Sequence, residues 1–192
     1  MIYFTADLHL GHKNIIKYSN RPFSTVEEMD KTLIDNWNAR VADNDTVYVV
    51  GDFALAPLAK VIEYIKKLKG FIVFVNGSHD RWIADSKNGP FHPRAIILKD
   101  RLHEVKGILS EKKSIILCHY AMRTWPKSHY GSWHLYGHSH GNLPGHGYSF
   151  DIGVDCNSFV PVSLEQVEQR MSKITPPYTI FAKKADRSEK QS

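Results

Sequence analysis

The sequence predicts an α/β fold of two packed β-sheets with helices outside them, and two observations support this prediction. In the first half, apolar strand-like runs alternate with helical segments in the order strand, helix, strand, helix, strand. This order is typical of parallel strands joined by right-handed crossovers. In the second half, strand-like runs follow one another closely with few helices between them, which favours antiparallel pairing.

The strands are predicted from runs of β-branched and aromatic residues. These runs are residues 1–6, 46–50, 71–75, 114–118, 134–136 and 148–153. The second, third and fourth runs are nearly continuously apolar, as expected for strands that are buried on both faces.

Three helices are predicted from apolar residues at helical spacing together with capping and stop signals. The signals are capping boxes at Ser24 with Glu27 and at Ser163 with Gln166, and, for the middle helix, Pro57 in the first turn and Gly70 at the end. The first two helices lie between the first three strands, so they are expected to form the crossovers of a parallel sheet.

Length and composition indicate one domain. The chain has 192 residues, of which 42% are hydrophobic, and this suffices for a single core. We assign residues 1–181 to the domain and residues 182–192 to a disordered charged tail. Of the formal net charge of +5, the tail carries +2 (four basic minus two acidic residues), so +3 remains on the domain. This excess is compatible with an anionic substrate but too small to indicate a nucleic-acid track.

A cytoplasmic protein without a membrane partner is expected. No run approaches the roughly 18 apolar residues of a membrane span, and the N-terminus lacks the basic region of a signal peptide. The two cysteines, Cys118 and Cys156, have no metal-finger spacing and are interpreted as small core residues in a reducing compartment.

Acidic residues and histidines follow five of the predicted strands at the point where each strand ends. They are Asp7 and His9, then Asp52, then Ser78-His79-Asp80, then His119, and finally His138 and His140. In open α/β sheets, ligands bind at the carboxyl ends of the strands. If the chain stays extended there, residues two apart point to the same side, so Asp7 with His9 and His138 with His140 each direct two side chains to one place.

This set of side chains predicts a metal site. Two carboxylates and four imidazoles in one partly buried place would be strongly destabilised by desolvation unless a cation lay among them. Imidazole with carboxylate and no thiolate suits Zn, Mn, Fe, Ni or Co. Six ligands favour a pair of ions about 3.5–4 Å apart, bridged by a carboxylate, and such a pair activates water for phosphate-ester hydrolysis.

In order and spacing, these residues resemble the five sequence blocks of the calcineurin-like metallophosphoesterases, especially the small bacterial and phage-type members. The blocks here are Asp7-x-His9, Gly51-Asp52, Gly77-Ser78-His79-Asp80, His119 and Gly137-His138-Ser139-His140. The resemblance runs from about residue 3 to residue 140. It implies a four-layer α/β/β/α sandwich of two mixed sheets flanked by helices, and two divalent ions, with Mn²⁺ favoured over Fe, Ni, Zn or Co.

The resemblance also implies a role for each block. Asp7, His9 and His140 would hold one metal ion, His119 and His138 would hold the other, and Asp52 would bridge them.

The third block would supply the catalytic residues rather than only ligands. His79 would lie beside the phosphate, as a donor to a phosphoryl oxygen or as general acid to the leaving alkoxide. Asp80 would accept a hydrogen bond from that imidazole and fix its tautomer.

Ser78 is also placed at the metal centre, although the family has a metal-ligating asparagine at this position. A serine side chain is shorter than that of asparagine, and its hydroxyl is a poorer metal ligand. Asn76 is not expected to take over this role, because a residue two positions back along an extended strand is roughly 6–7 Å away. Three outcomes are open. Water fills the gap, the second metal site is half-occupied and the enzyme slow, or the substitution was introduced to inactivate the protein.

Five further residues are predicted to bind the phosphate, and for each a structural role is the alternative. His12, Asn14 and Arg21 lie in a segment, residues 10–23, that resembles small bacterial and phage members of the family. Arg81 and Arg123 could each clamp two phosphate oxygens. The alternatives are helix capping, surface contacts and solvent-facing salt bridges.

The sequence therefore predicts a metal-dependent phosphoesterase in which a hydroxide bridging the metal ions attacks phosphorus. A phosphodiester is favoured as substrate, either a nucleotide or a nucleic-acid end, although another phosphorylated small molecule is an alternative. Base stacking on Trp82, Trp125, Tyr130 and Trp133 would suit such a substrate, while core packing is the alternative. The rival functions are a phosphomonoesterase and, because of Ser78, a non-catalytic scaffold. The natural substrate, the physiological metal and the oligomeric state stay open.

Overall fold

The computed structural model describes residues 1–86, 92–98, 100–109 and 113–175, so the predicted tail, residues 182–192, lies outside the described residues. In chain order the described strands are β1 (Ile2–Thr5), β2 (Thr46–Val50), β3 (Phe71–Val75), β4 (Ala95–Ile97), β5 (Leu102–Val105), β6 (Ile115–Cys118), β7 (Trp133–Tyr136), β8 (Ser149–Asp151) and β9 (Val162–Ser163). The described helices are α1 (Ile15–Tyr18), α2 (Val26–Arg40), α3 (Leu58–Lys67), α4 (Trp82–Asp85) and α5 (Leu164–Met171). The predicted α/β fold of two mixed sheets flanked by helices is confirmed.

The first sheet has five strands in the order β4-β3-β2-β1-β9. Its first four strands are parallel, with Ile2 opposite Thr46 and Thr46 opposite Phe71, while β9 runs antiparallel to β1. The predicted crossovers are confirmed, because α2 joins β1 to β2 and α3 joins β2 to β3. As a result, β1, β2 and β3 all end at the same edge of the sheet.

The second sheet has four strands in the order β5-β6-β7-β8. Only β5 is antiparallel to its neighbour, whereas β6, β7 and β8 are parallel. The prediction of mainly antiparallel pairing is therefore wrong. Residues 119–132 and 137–148 connect these strands, and connections of about a dozen residues are long enough to return the chain to the start of the next parallel strand.

Both faces of the first sheet are buried, as predicted for β2 and β3. Val49 and Phe74 pack in a core that also contains Leu33 of α2. Val50 and Val75 pack in a second core, whose other residues include members of β6, β7 and α5. Because side chains alternate along a strand, each strand contributes to a core under the helices and to a core between the sheets.

Two predicted helix starts have different outcomes. For α5 the capping box is confirmed, since Ser163 accepts from the Gln166 N–H and Gln166 caps in return. For α2 the cap is Thr25, whose hydroxyl accepts from the Glu28 N–H, so the predicted box at Ser24 is wrong by one residue. Repeated Ser-Thr and Glu-Glu pairs give the same spacing in two registers, and packing of the apolar face selects one of them.

No helix in the described ranges has both the length and the apolarity needed to cross a bilayer. Both cysteines are free thiols. Cys118 is half-buried but Cys156 is exposed, so the prediction of a core position is wrong for Cys156. Its thiol donates to the carbonyl oxygens of Asp151 and Gly153 in the loop after β8.

Candidate metal centre

The six side chains predicted to bind metal lie together at the edge where the strands of both sheets end. They form two groups, and within each group one potential ligand atom per residue lies within 4.8 Å of the others. We call Asp7, His9 and His140 the first site, and Asp52, His119 and His138 the second site. Each site takes residues from both sheets, because β1 and β2 belong to one sheet and β6 and β7 to the other.

Asp52 lies between the two sites. Its Oδ2 atom is 3.6 Å from His9 Nε2 in the first site and 3.3 Å from His119 Nε2 in the second. Asp52 therefore lies close to histidines of both sites, and bridging of two cations by it stays a prediction.

Two of the histidines each have one nitrogen satisfied and the other without a partner. His9 Nδ1 lies 3.3 Å from His12 Nδ1, and His119 Nδ1 donates to the carbonyl oxygen of Val50 at 2.9 Å. Nε2 of His9 and Nε2 of His119 are buried and have no hydrogen-bond partner. Buried polar atoms are nearly always paired, so two such nitrogens beside one carboxylate are an arrangement suited to cations.

The backbone turns at five of the six candidate ligands instead of staying extended. Left-handed φ angles occur at Asp7 (58°), His9 (53°), Asp52 (55°), His138 (68°) and His140 (47°). Such angles are uncommon for residues other than glycine and are concentrated at functional sites. They also correct the argument from strand alternation, since His138 and His140 belong to different sites.

Glycines next to the ligands allow the loops to approach one another closely. A Cβ atom on Gly51, which has a φ of +84°, would lie 2.3 Å from His119 Nδ1. A Cβ atom on Gly137 would lie 2.7 Å from Asp7 Oδ2. Gly51 and Gly137 are therefore required for His119 and Asp7, which are ligands from other blocks, to reach their places.

Comparison with known proteins places the chain in a family. No model of a described protein family matches it. It is 35% identical over 181 residues to the uncharacterized protein MJ1445 of Methanocaldococcus jannaschii, and the match covers 90% of this chain and 92% of that protein. The chain belongs to the MJ1445 family.

Two further proteins are similar to this chain. The Gene 66 protein of Mycobacterium phage L5 is 35% identical over 81 residues, which are 41% of this chain and 39% of the phage protein. The crystal structure of AQ665, a protein of unknown function from Aquifex aeolicus, superposes with a TM-score of 0.69 at 22% identity. The superposition covers 88% of this chain and 98% of the AQ665 chain, which shows that the two proteins share a fold.

In this member of the MJ1445 family, burial governs the pKa values of two residues of the first site, Asp7 and His9. It raises the pKa of Asp7 to about 7 and lowers the pKa of His9 to about 3. At Asp52 burial acts in the opposite direction to the net change, because interaction with His119 and the His79 N–H holds the pKa of the carboxyl below its usual range. A neutral His9 next to an ionised Asp52 is the protonation state that metal ligation requires.

The third block lies against Asp52, and metal binding by Ser78 stays a prediction. The Ser78 hydroxyl donates to Asp52 Oδ2 at 2.9 Å, and the His79 N–H donates to Asp52 Oδ1 at 2.8 Å. The His79 side chain is exposed, and its ring centroid is 5.5 Å from that of His9. His79 therefore lies beside the first site, and its role at the phosphate stays a prediction.

Asp80 has a structural role, and the prediction that it orients the His79 imidazole is wrong. Each of its two oxygens accepts two hydrogen bonds from N–H groups. The donors are the backbone N–H groups of Asp52, Phe53 and Gly77 and the indole of Trp82. All of the accepting capacity of the buried carboxylate is directed at the loops after β2 and β3, so Asp80 fixes those loops to each other.

Arg21 is also a structural residue, because its side chain is fully buried and has no N–H left for a phosphate. Its guanidinium donates to Asp155, to the carbonyl oxygens of Asp7 and Leu8, and to the sulfur of Met29. The prediction that Arg21 binds substrate is therefore wrong.

The other four predicted phosphate-binding residues differ in their surroundings. His12 is half-buried, with its ring centroid 6.0 Å from that of His79, so two imidazoles that are not predicted ligands border the centre. Asn14, Arg81 and Arg123 are exposed, and their side chains form no hydrogen bond or ion pair with any residue that the structure describes. Phosphate binding by these four residues stays a prediction.

Of the predicted stacking residues, the tryptophans pack in the interior. Trp82, Trp125 and Trp133 are buried, whereas Tyr130 is 76% exposed. An aromatic residue that the sequence pattern missed lies closer to the metal centre. Tyr120 is 39% exposed, and its ring centroid is 4.7 Å from that of His138.

Two carboxylates beyond residue 140 also contact the ligand loops. Asp151 accepts from the Ser139 hydroxyl at 2.6 Å and from the Gly141 N–H at 3.0 Å, which ties down the loop on both sides of His140. Asp155 accepts from His140 Nδ1 at 2.7 Å. Asp155 follows the predicted strand of residues 148–153, just as the other candidate residues follow their strands. The same rule of acidic residues at strand ends would therefore have predicted Asp155.

Proposed function

We propose that this protein is a metal-dependent phosphoesterase of the calcineurin-like type that hydrolyses phosphodiesters of nucleotides or nucleic-acid ends. The observation that carries the proposal is the pair of buried, unpartnered Nε2 atoms of His9 and His119 on either side of Asp52 Oδ2. A core histidine would have both ring nitrogens hydrogen-bonded within the protein.

The donor atoms suit two divalent ions of the borderline type. The first site offers two imidazoles and a carboxylate, and so does the second. Mixed nitrogen and oxygen donors fit Mn²⁺, Fe, Ni, Zn or Co, and we favour Mn²⁺. When bound, the two cations would supply positive charge that lowers the pKa of a water molecule and neutralises phosphoryl oxygens.

Residues of the chain itself would position the substrate beside these cations. The exposed His79 can donate to a phosphoryl oxygen or protonate the leaving alkoxide. The hydrogen bond from its backbone N–H to Asp52 holds the backbone of His79 next to the centre. His12 offers a second imidazole on the same side, and Tyr120 offers an exposed ring beside the second site for an organic group of the substrate.

The substrate preference can be tested with two chromogenic esters. With Mn²⁺, we expect the protein to hydrolyse bis-p-nitrophenyl phosphate faster than p-nitrophenyl phosphate, and EDTA to abolish both reactions. The measurement is kcat/KM for each ester over a range of Mn²⁺ concentrations. Faster hydrolysis of the monoester would favour a phosphomonoesterase, and absence of turnover with any divalent ion would favour a scaffold.

The second testable feature is Ser78. We expect Ser78→Asn to raise the affinity of the second site for Mn²⁺ by about tenfold, because an amide oxygen is a better ligand for this cation than a neutral hydroxyl. Titration calorimetry measures the change, and Ser24→Asn, the same replacement at an exposed position, is the control. Equal Mn²⁺ affinity in the Ser78 variant and the wild type would place residue 78 outside the coordination shell.

A further inference from the structure

A buried carboxylate outside the five blocks contacts the first site. Asp155 lies in a 3-10 turn, Val154–Cys156, directly after β8, and its side chain is only 7% exposed. Its Oδ2 accepts from His140 Nδ1 at 2.7 Å and from Arg21 Nη2 at 2.8 Å, while its Oδ1 accepts from Arg21 Nε at 2.7 Å. Three hydrogen bonds from two side chains thus fix the orientation of the carboxylate.

Arg21 connects this carboxylate to the segment after β1 that provides the other two ligands of the first site. Its Nη2 donates to the carbonyl oxygen of Asp7 at 2.6 Å, and its Nη1 donates to that of Leu8 at 2.9 Å. A series of hydrogen bonds therefore runs from His140 through Asp155 and Arg21 to the backbone next to Asp7 and His9. All three ligands of the first site are held by one hydrogen-bonded unit.

We propose that Asp155 is a positioning residue of the first metal site that acts through His140. By accepting from Nδ1, the carboxylate keeps the proton on that nitrogen and leaves the lone pair of Nε2 for a cation. The inference rests on the proposed two-metal function, and it adds that one of the two sites depends on a carboxylate that is not a ligand. Carboxylates in this role usually contribute about 10- to 100-fold to metal affinity.

In the second site, the imidazole of His119 is oriented by the backbone instead of by a carboxylate. There the Nδ1 atom of His119 donates to the backbone carbonyl oxygen of Val50, which no substitution removes. A change at Asp155 is therefore expected to weaken one site and leave the other intact. Loss of structure would instead weaken both.

Asp155→Asn is the sharpest variant, because it keeps the volume and replaces one oxygen by an NH₂ group. If that group faces His140, the imidazole can pair with it only by accepting at Nδ1, which moves the proton to Nε2 and blocks ligation. If it faces Arg21 instead, two donors meet and the orientation of the carboxamide is lost. Either arrangement weakens the first site.

The experiment is titration of the metal-free wild type and the Asp155→Asn variant with Mn²⁺ by calorimetry. We expect two ions for the wild type, and for the variant one ion with unchanged affinity and one weakened by about tenfold or more. Asp45→Asn is the matched control, since Asp45 is a buried carboxylate that accepts from the Ala42 N–H and the N-terminal amine, away from both sites. This control should bind two ions like the wild type.

Two results for the Asp155→Asn variant would overturn this inference but not the proposed function. They are binding of two ions with unchanged affinity, and an equal loss of affinity at both sites. A wild type that binds no ion would overturn both this inference and the proposed function.

A measurement on the wild type covers the case in which the variant does not fold. In the Zn²⁺-loaded protein, ¹⁵N chemical shifts of the imidazoles should show the proton of His140 on Nδ1 and the metal on Nε2. Metal on Nδ1 would exclude the hydrogen bond to Asp155 and overturn the inference.

Discussion

Asp52→Ala is expected to lower kcat/KM for bis-p-nitrophenyl phosphate by about 1000-fold or more, because loss of a single charge-stabilising group in an active site already costs about 100- to 1000-fold. Asp52 Oδ2 lies within 3.6 Å of a ligand nitrogen of each site, so its removal affects both. The same change leaves the Ser78 hydroxyl and the His79 N–H without their acceptor. Steady-state kinetics with Mn²⁺ and calorimetric titration measure the two effects.

Two further variants separate the loss of the bridge from loss of the fold. Asp52→Asn keeps an acceptor for the His79 N–H but removes the negative charge of the side chain, so activity should fall similarly while the loop stays in place. Asp45→Asn, which lies away from both sites, should retain the activity of the wild type even where its melting temperature falls. If Asp52→Ala kept a tenth or more of the wild-type rate, Asp52 would not bridge the centre.

Gly51→Ala is expected to lower the free energy of unfolding by about 3 kcal/mol or more, since two penalties add at this position. The first penalty is conformational, because the φ of +84° at Gly51 is strained for any residue with a Cβ atom. The second is steric, because the Cβ atom of an alanine would lie 2.3 Å from His119 Nδ1 and 2.7 Å from the Cα of Gly77. Relief of the collision would move His119 or the third block, so Mn²⁺ affinity at the second site should fall as well. Chemical denaturation of the metal-free protein measures the first effect.

Gly131→Ala provides the matched control for that experiment. Gly131 has a φ of +83°, almost the same as Gly51, but a Cβ there would have nothing within 4 Å. It should therefore show only the backbone penalty of about 1 kcal/mol. Equal losses of unfolding free energy in the two variants would mean that the approach of His119 to Gly51 is not tight.

The position of the centre between the sheets links metal binding to folding. The first site combines Asp7 and His9, after β1, with His140, after β7, and the two strands belong to different sheets. Both oxygens of Asp7 accept from the His138 N–H, at 3.0 and 2.9 Å, so the sheets are already tied at this edge in the protein itself. Cations bound there would stabilise the folded chain further, because the unfolded chain has no assembled site.

The identity of the candidate ligands followed from local sequence. Apolar runs such as residues 46–50 and 71–75 specify buried parallel strands, and such strands end at a common edge where polar residues can converge. Asp7, Asp52 and His119 could be selected on this basis alone. The start of α5 at Ser163 was likewise encoded within four residues, because a capping box involves only its own helix end.

The partners of these ligands depended on contacts between distant parts of the chain. Arg21 and Asp155 are 134 residues apart, yet their ion pair makes Arg21, which was predicted to bind phosphate, a buried support of the first site. Asp80 similarly accepts from backbone N–H groups of the loop after β2, which no spacing rule relates to it. A residue type and its position on a strand are local properties, whereas the hydrogen bonds that orient a side chain form only when separate segments pack together.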